Sequence, residues 1–196
     1  MKSVYNFVVK PKGERYNNTK KLDDGELILN TEIYNHQYVN REAIVISTPI
    51  IGDTDIKPGD TVVVHHNVFR RWHNQHGEEK NSRSYFDENT YFINHDQIFL
   101  YKTNKKWIAP KGYCFVIPLK ATDKFNTESE KPLQGIVKYT DGTIEVNSLV
   151  GFTPNSEYEF IVDGERLYRV LSKFITIKYE YQGDEEEYNP SWTQSS

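Results

Sequence analysis

Short apolar runs separated by polar turns are the main pattern of this chain. The runs are rich in β-branched and aromatic side chains, and clusters of Gly, Pro, Asn and Asp lie between them. No window shows the 3.6-residue apolar spacing of an amphipathic helix. The pattern therefore predicts an all-β protein, with strands at 5–9, 43–46, 61–64, 91–93, 98–101, 114–117, 135–139, 158–162, 167–171 and 174–179.

The runs also occur twice in the same order. FVVKPK at 7–12 resembles FVIPLK at 115–120, and AIVIST at 43–48 resembles GIVKYT at 135–140. Each half then ends in a hairpin pattern, and Asp163-Gly164 predicts a type I′ turn, which needs positive φ at both central residues. We predict two tandem β domains, residues 1–104 and 105–181, followed by an acidic, polar and flexible tail at 182–196.

Composition narrows the function classes. The net charge of −4 argues against a surface built to neutralise nucleic-acid phosphates. The single cysteine, Cys114, lies in an apolar run, which indicates a buried thiol and excludes an intrachain disulfide. Neither a signal peptide nor a membrane-spanning segment is evident, so we expect a cytoplasmic protein that does not bind membranes.

The segment GELIL at 25–29 places three aliphatic residues inside a long polar stretch, about 13–40. Two interpretations are open. It is an ordinary strand with one face on the core, or it is a surface anchor for a partner. The matching stretch after Lys120 is shorter and has no aliphatic triplet, which favours the second interpretation, because a pattern needed by the shared fold should appear in both halves.

In their order, these motifs resemble the GroES-type co-chaperonins, the chaperonin 10 family. There, a strand precedes a mobile loop with a Gly-led aliphatic triplet, then come a G-x-V strand, a V-G-D-x-V turn, an acidic hairpin and a closing D-I strand. The first half has GELIL, then Ala43 at the usual Gly position, PGDTV at 58–62 and HDQIFLY at 95–101. The second half has LQGIV at 133–137 and a hairpin in 152–170, but NSLV at 147–150 departs from the turn.

The resemblance implies two tandem GroES-like β-barrels and a non-enzymatic co-chaperonin without cofactors or metal. It would cap a GroEL-type chaperonin ring and assist ATP-dependent protein folding, as a homo-oligomer, heptameric in this family. Chaperonin binding would fall to Gly25, Leu27, Ile28 and Leu29. Subunit contacts would involve the terminal strands, at Tyr5, Phe7, Val9, Ile98 and Leu100. The Asn-, Lys- and Tyr-rich composition suggests a phage-encoded variant acting in the host cytoplasm. The alternative is a structural or virion-assembly protein that reuses the barrel without binding a chaperonin.

Other candidate chemistry is sparse. His65, His66, His73 and His76 could hold a transition metal, although no carboxylate or thiolate closes the set, and we interpret them as part of a polar loop. The nearby Arg70, Arg71, Trp72 and Arg83 could contact nucleic acid, but we favour a solvated loop or a subunit contact. No nucleophile elbow, phosphate loop or zinc-protease motif is present.

Overall fold

The computed structural model describes residues 3–16, 38–121, 130–180, 183 and 185–188, together with the backbone of 19–22 and 25–28. Within these residues the protein is all-β, as the apolar runs predict, with two short 3-10 turns at His95–Gln97 and Ser172–Phe174. None of the described helices is long and apolar enough to cross a membrane. The chain divides into two compact units, unit 1 (Met1–Trp107) and unit 2 (Ile108–Ser196).

Unit 1 is built on an antiparallel sheet whose described strands lie in the order β11-β10-β5-β4-β1-β9-β8. Two small hairpins, β2–β3 and β6–β7, form separate two-stranded sheets in the connections. The strands are β1 Phe7–Pro11, β2 Thr19–Leu22, β3 Gly25–Ile28, β4 Glu42–Ser47, β5 Thr61–Val64, β6 Arg71–His73, β7 Glu79–Asn81, β8 Tyr85–Asp87, β9 Thr90–Ile93, β10 Ile98–Thr103 and β11 Lys106–Ile108.

Unit 2 is built on one antiparallel sheet, in which the described strands lie in the order β15-β16-β12-β13-β14-β17. Its strands are β12 Tyr113–Lys120, β13 Glu130–Thr140, β14 Leu149–Phe152, β15 Glu157–Val162, β16 Glu165–Leu171 and β17 Ile175–Lys178. The turn between β15 and β16 has φ of 51° at Asp163 and 78° at Gly164, so the predicted type I′ turn is confirmed.

The two units share strand order and register. When β1, β4, β5, β8, β9 and β10 are matched with β12, β13, β14, β15, β16 and β17, the order is the same in both sheets. Val9 pairs with Val45 in unit 1, and Val116 pairs with Val137 in unit 2. Ala43 lies opposite Pro11, as Gly135 lies opposite Pro118. The sequence match of Ala43 with Gly135 is therefore correct.

The irregularities of the sheets repeat as well. A register shift follows Val8 in β1, and an equivalent shift follows Phe115 in β12. Val8 thus corresponds to Phe115, and the sequence match of Phe7 with Phe115 is wrong by one residue. The reason is that β1 and β12 are mostly buried on both faces. A continuous apolar run does not reveal which residue faces which neighbour.

The turn before the third shared strand also repeats, although its sequence differs. Gly59 donates its backbone N–H to the Val45 carbonyl at 2.8 Å, and Asn147 donates to the Val137 carbonyl at 2.7 Å. Both turn residues have positive φ, 93° and 65° respectively. Asn is among the few residues besides Gly that adopt this conformation at low cost, so NSLV can form the turn made by PGDTV.

Each unit has its own apolar core. In unit 1, Phe69 packs edge-on against Tyr91 with ring centroids 4.7 Å apart, and both side chains are fully buried. In unit 2 a cluster of buried side chains includes Cys114, whose pKa is raised to about 12 by burial. This cysteine is the inert buried thiol that its apolar neighbours predict.

Candidate functional site

The candidate site lies in the connection between β1 and β4. Its backbone includes the β2–β3 hairpin, in which Lys20 pairs with Leu27 and Thr19 pairs with Ile28. Gly25, Leu27 and Ile28 are therefore strand residues, while Leu29 lies outside the described residues. The hairpin is a two-stranded sheet separate from the main sheet of unit 1. A strand does form here, as the first interpretation holds, but β3 is not one of the strands of the main sheet.

The connection leaves and re-enters the sheet through a narrow base, residues 12–16 and 38–42, which we name the neck. Its two legs are joined by backbone hydrogen bonds from Asn40 N–H to the Arg15 carbonyl at 2.9 Å and from Lys12 N–H to the Glu42 carbonyl at 3.0 Å. Tyr16 and Val39 form a bridge one step further out. The described ends of the connection are therefore held together in a defined register.

Asn40 is the central side chain of the neck. It is 3% exposed, and its amide donates to the carbonyls of Lys12 at 3.0 Å and Glu14 at 2.8 Å. Its side-chain oxygen accepts from the Glu42 N–H at 2.8 Å. One buried amide thus satisfies backbone groups of both legs, and removing it would leave them unpaired at a cost of about 1–3 kcal/mol each.

The corresponding point of unit 2 is organised differently. Residues 122–129 lie outside the described residues, and the legs on either side pair at Lys120 and Glu130. The C-terminal segment lies against the outgoing leg, where Lys120 N–H donates to the Glu186 carbonyl and Tyr188 N–H donates to the Pro118 carbonyl, both at 2.8 Å. Residues 185–188, which belong to the predicted tail, are therefore paired with the sheet, while residues 189–196 of that tail lie outside the described residues.

Glu130, the first residue of β13, takes part in a charged network. It accepts hydrogen bonds from the Arg166 guanidinium and, at 2.6 Å, from the Tyr168 hydroxyl. Burial and the hydrogen bond to Glu130 raise the pKa of Tyr168. Burial alone would lower the pKa of Arg166, but hydrogen bonds to Glu130 and Glu159 outweigh it and raise the pKa. Arg166 is therefore charged and Tyr168 neutral at neutral pH.

The five predicted subunit-contact residues differ widely in side-chain exposure. Tyr5 is 71% exposed, whereas Phe7, Val9, Ile98 and Leu100 are buried in unit 1. These four side chains are covered by other residues of unit 1. Tyr5 is therefore the one of these five residues whose side chain is available, and it lies beside exposed Val4, Ile50 and Ile51.

The candidate metal-binding histidines and the basic and aromatic residues predicted beside them fall in the segment between β5 and β8. His65 and His66 stack on each other with ring centroids 4.2 Å apart. Among the described residues, no group of three or more His, Cys, Asp or Glu side chains could hold a metal ion. Arg71 makes an ion pair with Glu79 at 3.2 Å. Trp72, the next residue of β6, is 37% exposed.

Sequence reasoning missed the residues that build the neck. Arg15 and Asn40 are buried polar residues, yet they stand in polar stretches that are typical of exposed loops. Only their partners, which come from distant parts of the chain, reveal their burial.

Comparison of the chain with protein-family models and with curated proteins gave no match.

Proposed function

We propose that this protein is a co-chaperonin that binds a GroEL-type chaperonin ring through Leu27, Ile28 and Leu29. Each unit would be a GroES-like barrel, and the protein would act without catalytic chemistry of its own. The observation that carries the proposal is the asymmetry between two units of the same strand order. The long connection with the aliphatic triplet occurs in unit 1, while the equivalent position of unit 2 has a short connection without it.

The energetics favour binding by several copies of the loop. Burying one aliphatic side chain contributes about 1.5–3 kcal/mol, whereas fixing the backbone costs about 1–2 kcal/mol per residue. A single triplet therefore binds weakly. Several loops presented together by one oligomer would bind strongly through effective concentration, while each contact remains easy to release.

The β2–β3 hairpin and the neck fit this role. Backbone pairing of Gly25–Ile28 with Thr19–Leu22 is present in the free protein, so part of the ordering cost does not arise on binding. The neck returns the chain to the sheet in a fixed register, so the main sheet of unit 1 need not change when the loop is engaged. The exposed group around Tyr5 is the candidate contact between subunits in the ring.

The proposal is tested by co-sedimentation of the full chain with a GroEL-type chaperonin in the presence of ATP. We expect the wild type to bind and the triple variant Leu27→Ser/Ile28→Ser/Leu29→Ser to lose binding. The matched control is Val146→Ser/Ile177→Ser, which removes two exposed aliphatic side chains from unit 2 and should bind like the wild type. Native mass spectrometry of each variant checks that the oligomer is unchanged.

Failure of the wild type to bind would refute the co-chaperonin proposal and favour the structural-protein alternative. Equal binding by the triple variant would locate the contact elsewhere in the chain. A monomeric native mass would also count against capping, because a monomer presents only one loop.

A further inference from the structure

Unit 1 contains an insertion that the repeat itself does not require. Residues 65–84, which we name the insertion, connect β5 with β8, whereas residues 153–156 make the equivalent connection in unit 2. The insertion carries the β6–β7 hairpin and buries Val68 and Phe69 completely. Both additions to the shared fold, the long loop and the insertion, therefore occur in the same unit.

Arg15 of the neck is held by the insertion. This side chain is 9% exposed. Its guanidinium donates to the Phe69 carbonyl at 3.1 Å and to the Asn81 side-chain oxygen at 2.9 Å. It also lies over the rings of Tyr85 and Tyr91, 5.3 and 5.5 Å from their centroids. These groups are neutral, so the geometry of the hydrogen bonds and rings, rather than an ion pair, determines where the guanidinium lies.

A second contact, made by Arg71 at the start of β6, also joins the insertion to the neck. The Arg71 N–H donates to the Tyr16 hydroxyl at 2.8 Å, and the Arg71 guanidinium lies 5.1 Å from the centroid of the Tyr16 ring. Tyr16 itself is buried and pairs with Val39 across the neck. Two consecutive residues of the outgoing leg, Arg15 and Tyr16, are thus attached to the insertion immediately before the loop begins.

We propose that Arg15 and the insertion position the chaperonin-binding loop, and that Arg15 is a positioning residue for partner binding. The inference rests on the proposed function. A loop that must engage its site together with other copies gains effective concentration only when its base is held at the correct place and direction. The insertion supplies that support from outside the sheet, while Asn40 joins the legs within the neck.

The absence of a comparable insertion in unit 2 agrees with this role. There the described residues at the leg are held by the C-terminal segment and by the Glu130–Arg166 contact. Unit 2 therefore forms its sheet without an insertion, so the stability of the fold that both units share does not by itself explain the presence of residues 65–84.

The test compares Arg15→Gln with Arg166→Gln, a matched removal of a largely buried guanidinium that stacks on a tyrosine in unit 2. We expect Arg15→Gln to weaken chaperonin binding at least tenfold with an unchanged native mass, and Arg166→Gln to stay within twofold of the wild type. Asn81→Ala removes one partner of Arg15 and should weaken binding about threefold. If Arg15→Gln fails to fold, Asn81→Ala carries the same comparison.

Amide hydrogen exchange of the full chain gives a readout that does not depend on a chaperonin. We expect the Asn40 and Arg71 amides to exchange at least tenfold faster in Arg15→Gln, while amides of β12 and β13 are unchanged. Wild-type binding retained in Arg15→Gln would overturn the positioning role. Absence of binding by the wild type would refute the proposed function, and unchanged exchange at Asn40 would then refute the support of the neck by Arg15 as well.

Discussion

Gly135 of β13 lies close to the backbone of β12, and substituting it tests how tightly these two strands of unit 2 pack. A Cβ added at this position would lie 2.7 Å from the Ile117 carbonyl oxygen and 3.0 Å from the Val116 Cβ. These atoms belong to the paired strand β12, so the strand itself has to move. The equivalent residue of unit 1, Ala43, carries a methyl group and is fully buried. The same strand pair therefore has room for a Cβ in one unit and not in the other.

The substitution Gly135→Ala should destabilise the protein although it adds apolar surface. Overpacking of a core costs about 1–3 kcal/mol, and the lower chain entropy of Ala in the unfolded state offsets about 0.4–1 kcal/mol. The clash involves a backbone atom that cannot rotate away, so the upper half of the overpacking range, about 2–3 kcal/mol, applies and the net loss is about 1–2.5 kcal/mol. In a unit of this size, about 1 kcal/mol shifts the melting temperature by about 4–8 °C, so we expect a decrease of about 4–20 °C.

Differential scanning calorimetry of the full chain measures this change, with Gly151→Ala as the control. A Cβ at Gly151 would meet the Tyr179 hydroxyl at 3.1 Å, which is the far end of a side chain that can rotate away. We expect the control to lose less than half as much stability as Gly135→Ala. A wild-type melting temperature for Gly135→Ala, or a larger loss in Gly151→Ala, would refute the reasoning.

Two further predictions concern Tyr91 and the C-terminal segment. The Tyr91 hydroxyl is buried without a hydrogen-bond partner among the described residues, and burial raises its pKa to about 12. Because the unfolded tyrosine loses its proton near pH 10, stability should fall between about pH 10 and 12, and urea titrations should show a smaller fall for Tyr91→Phe. Deleting residues 183–196 removes the two backbone hydrogen bonds to β12, at about 0.5–1.5 kcal/mol each, so thermal unfolding should reveal a loss of about 1–3 kcal/mol. As a control, Glu186→Gln should change stability by less than about 0.5 kcal/mol because its ion pair with Lys120 is exposed. An unchanged melting temperature after deletion of residues 183–196 would contradict the pairing of this segment with β12.

Much of the fold could be predicted from the chain because strand residues carry local signals. Apolar runs such as 61–64 and 135–139 are strands, and the Asp163-Gly164 turn has the predicted conformation. Six short strands among those described were not predicted: β2, β6, β7, β8, β11 and β14 have only three or four residues each, and β2, β6, β7 and β11 are also rich in charged or polar residues. Their conformation depends on pairing partners, and strand propensity is weak without packing.

Only part of the candidate site could be predicted from the sequence. The aliphatic triplet is visible as a sequence pattern, since three large apolar residues in a polar stretch are uncommon. The neck cannot be recognised in the sequence, because Arg15 and Asn40 are polar residues in stretches typical of surface loops. Their burial comes from Phe69, Asn81 and the opposite leg, which are brought close only by folding.

The sequence by itself determined the all-β class, the internal repeat and the unequal length of the two equivalent connections, because apolar runs, turn residues and spacing are local properties of the chain. The tertiary structure decided the register of β1 and β12, whose continuous apolar runs do not distinguish neighbouring registers. It also decided that Gly25–Ile28 pairs with β2 apart from the main sheet, and that Arg15 meets the insertion. The contacts of Arg15 with Phe69 and Asn81 join residues far apart in sequence, so no local pattern encodes them.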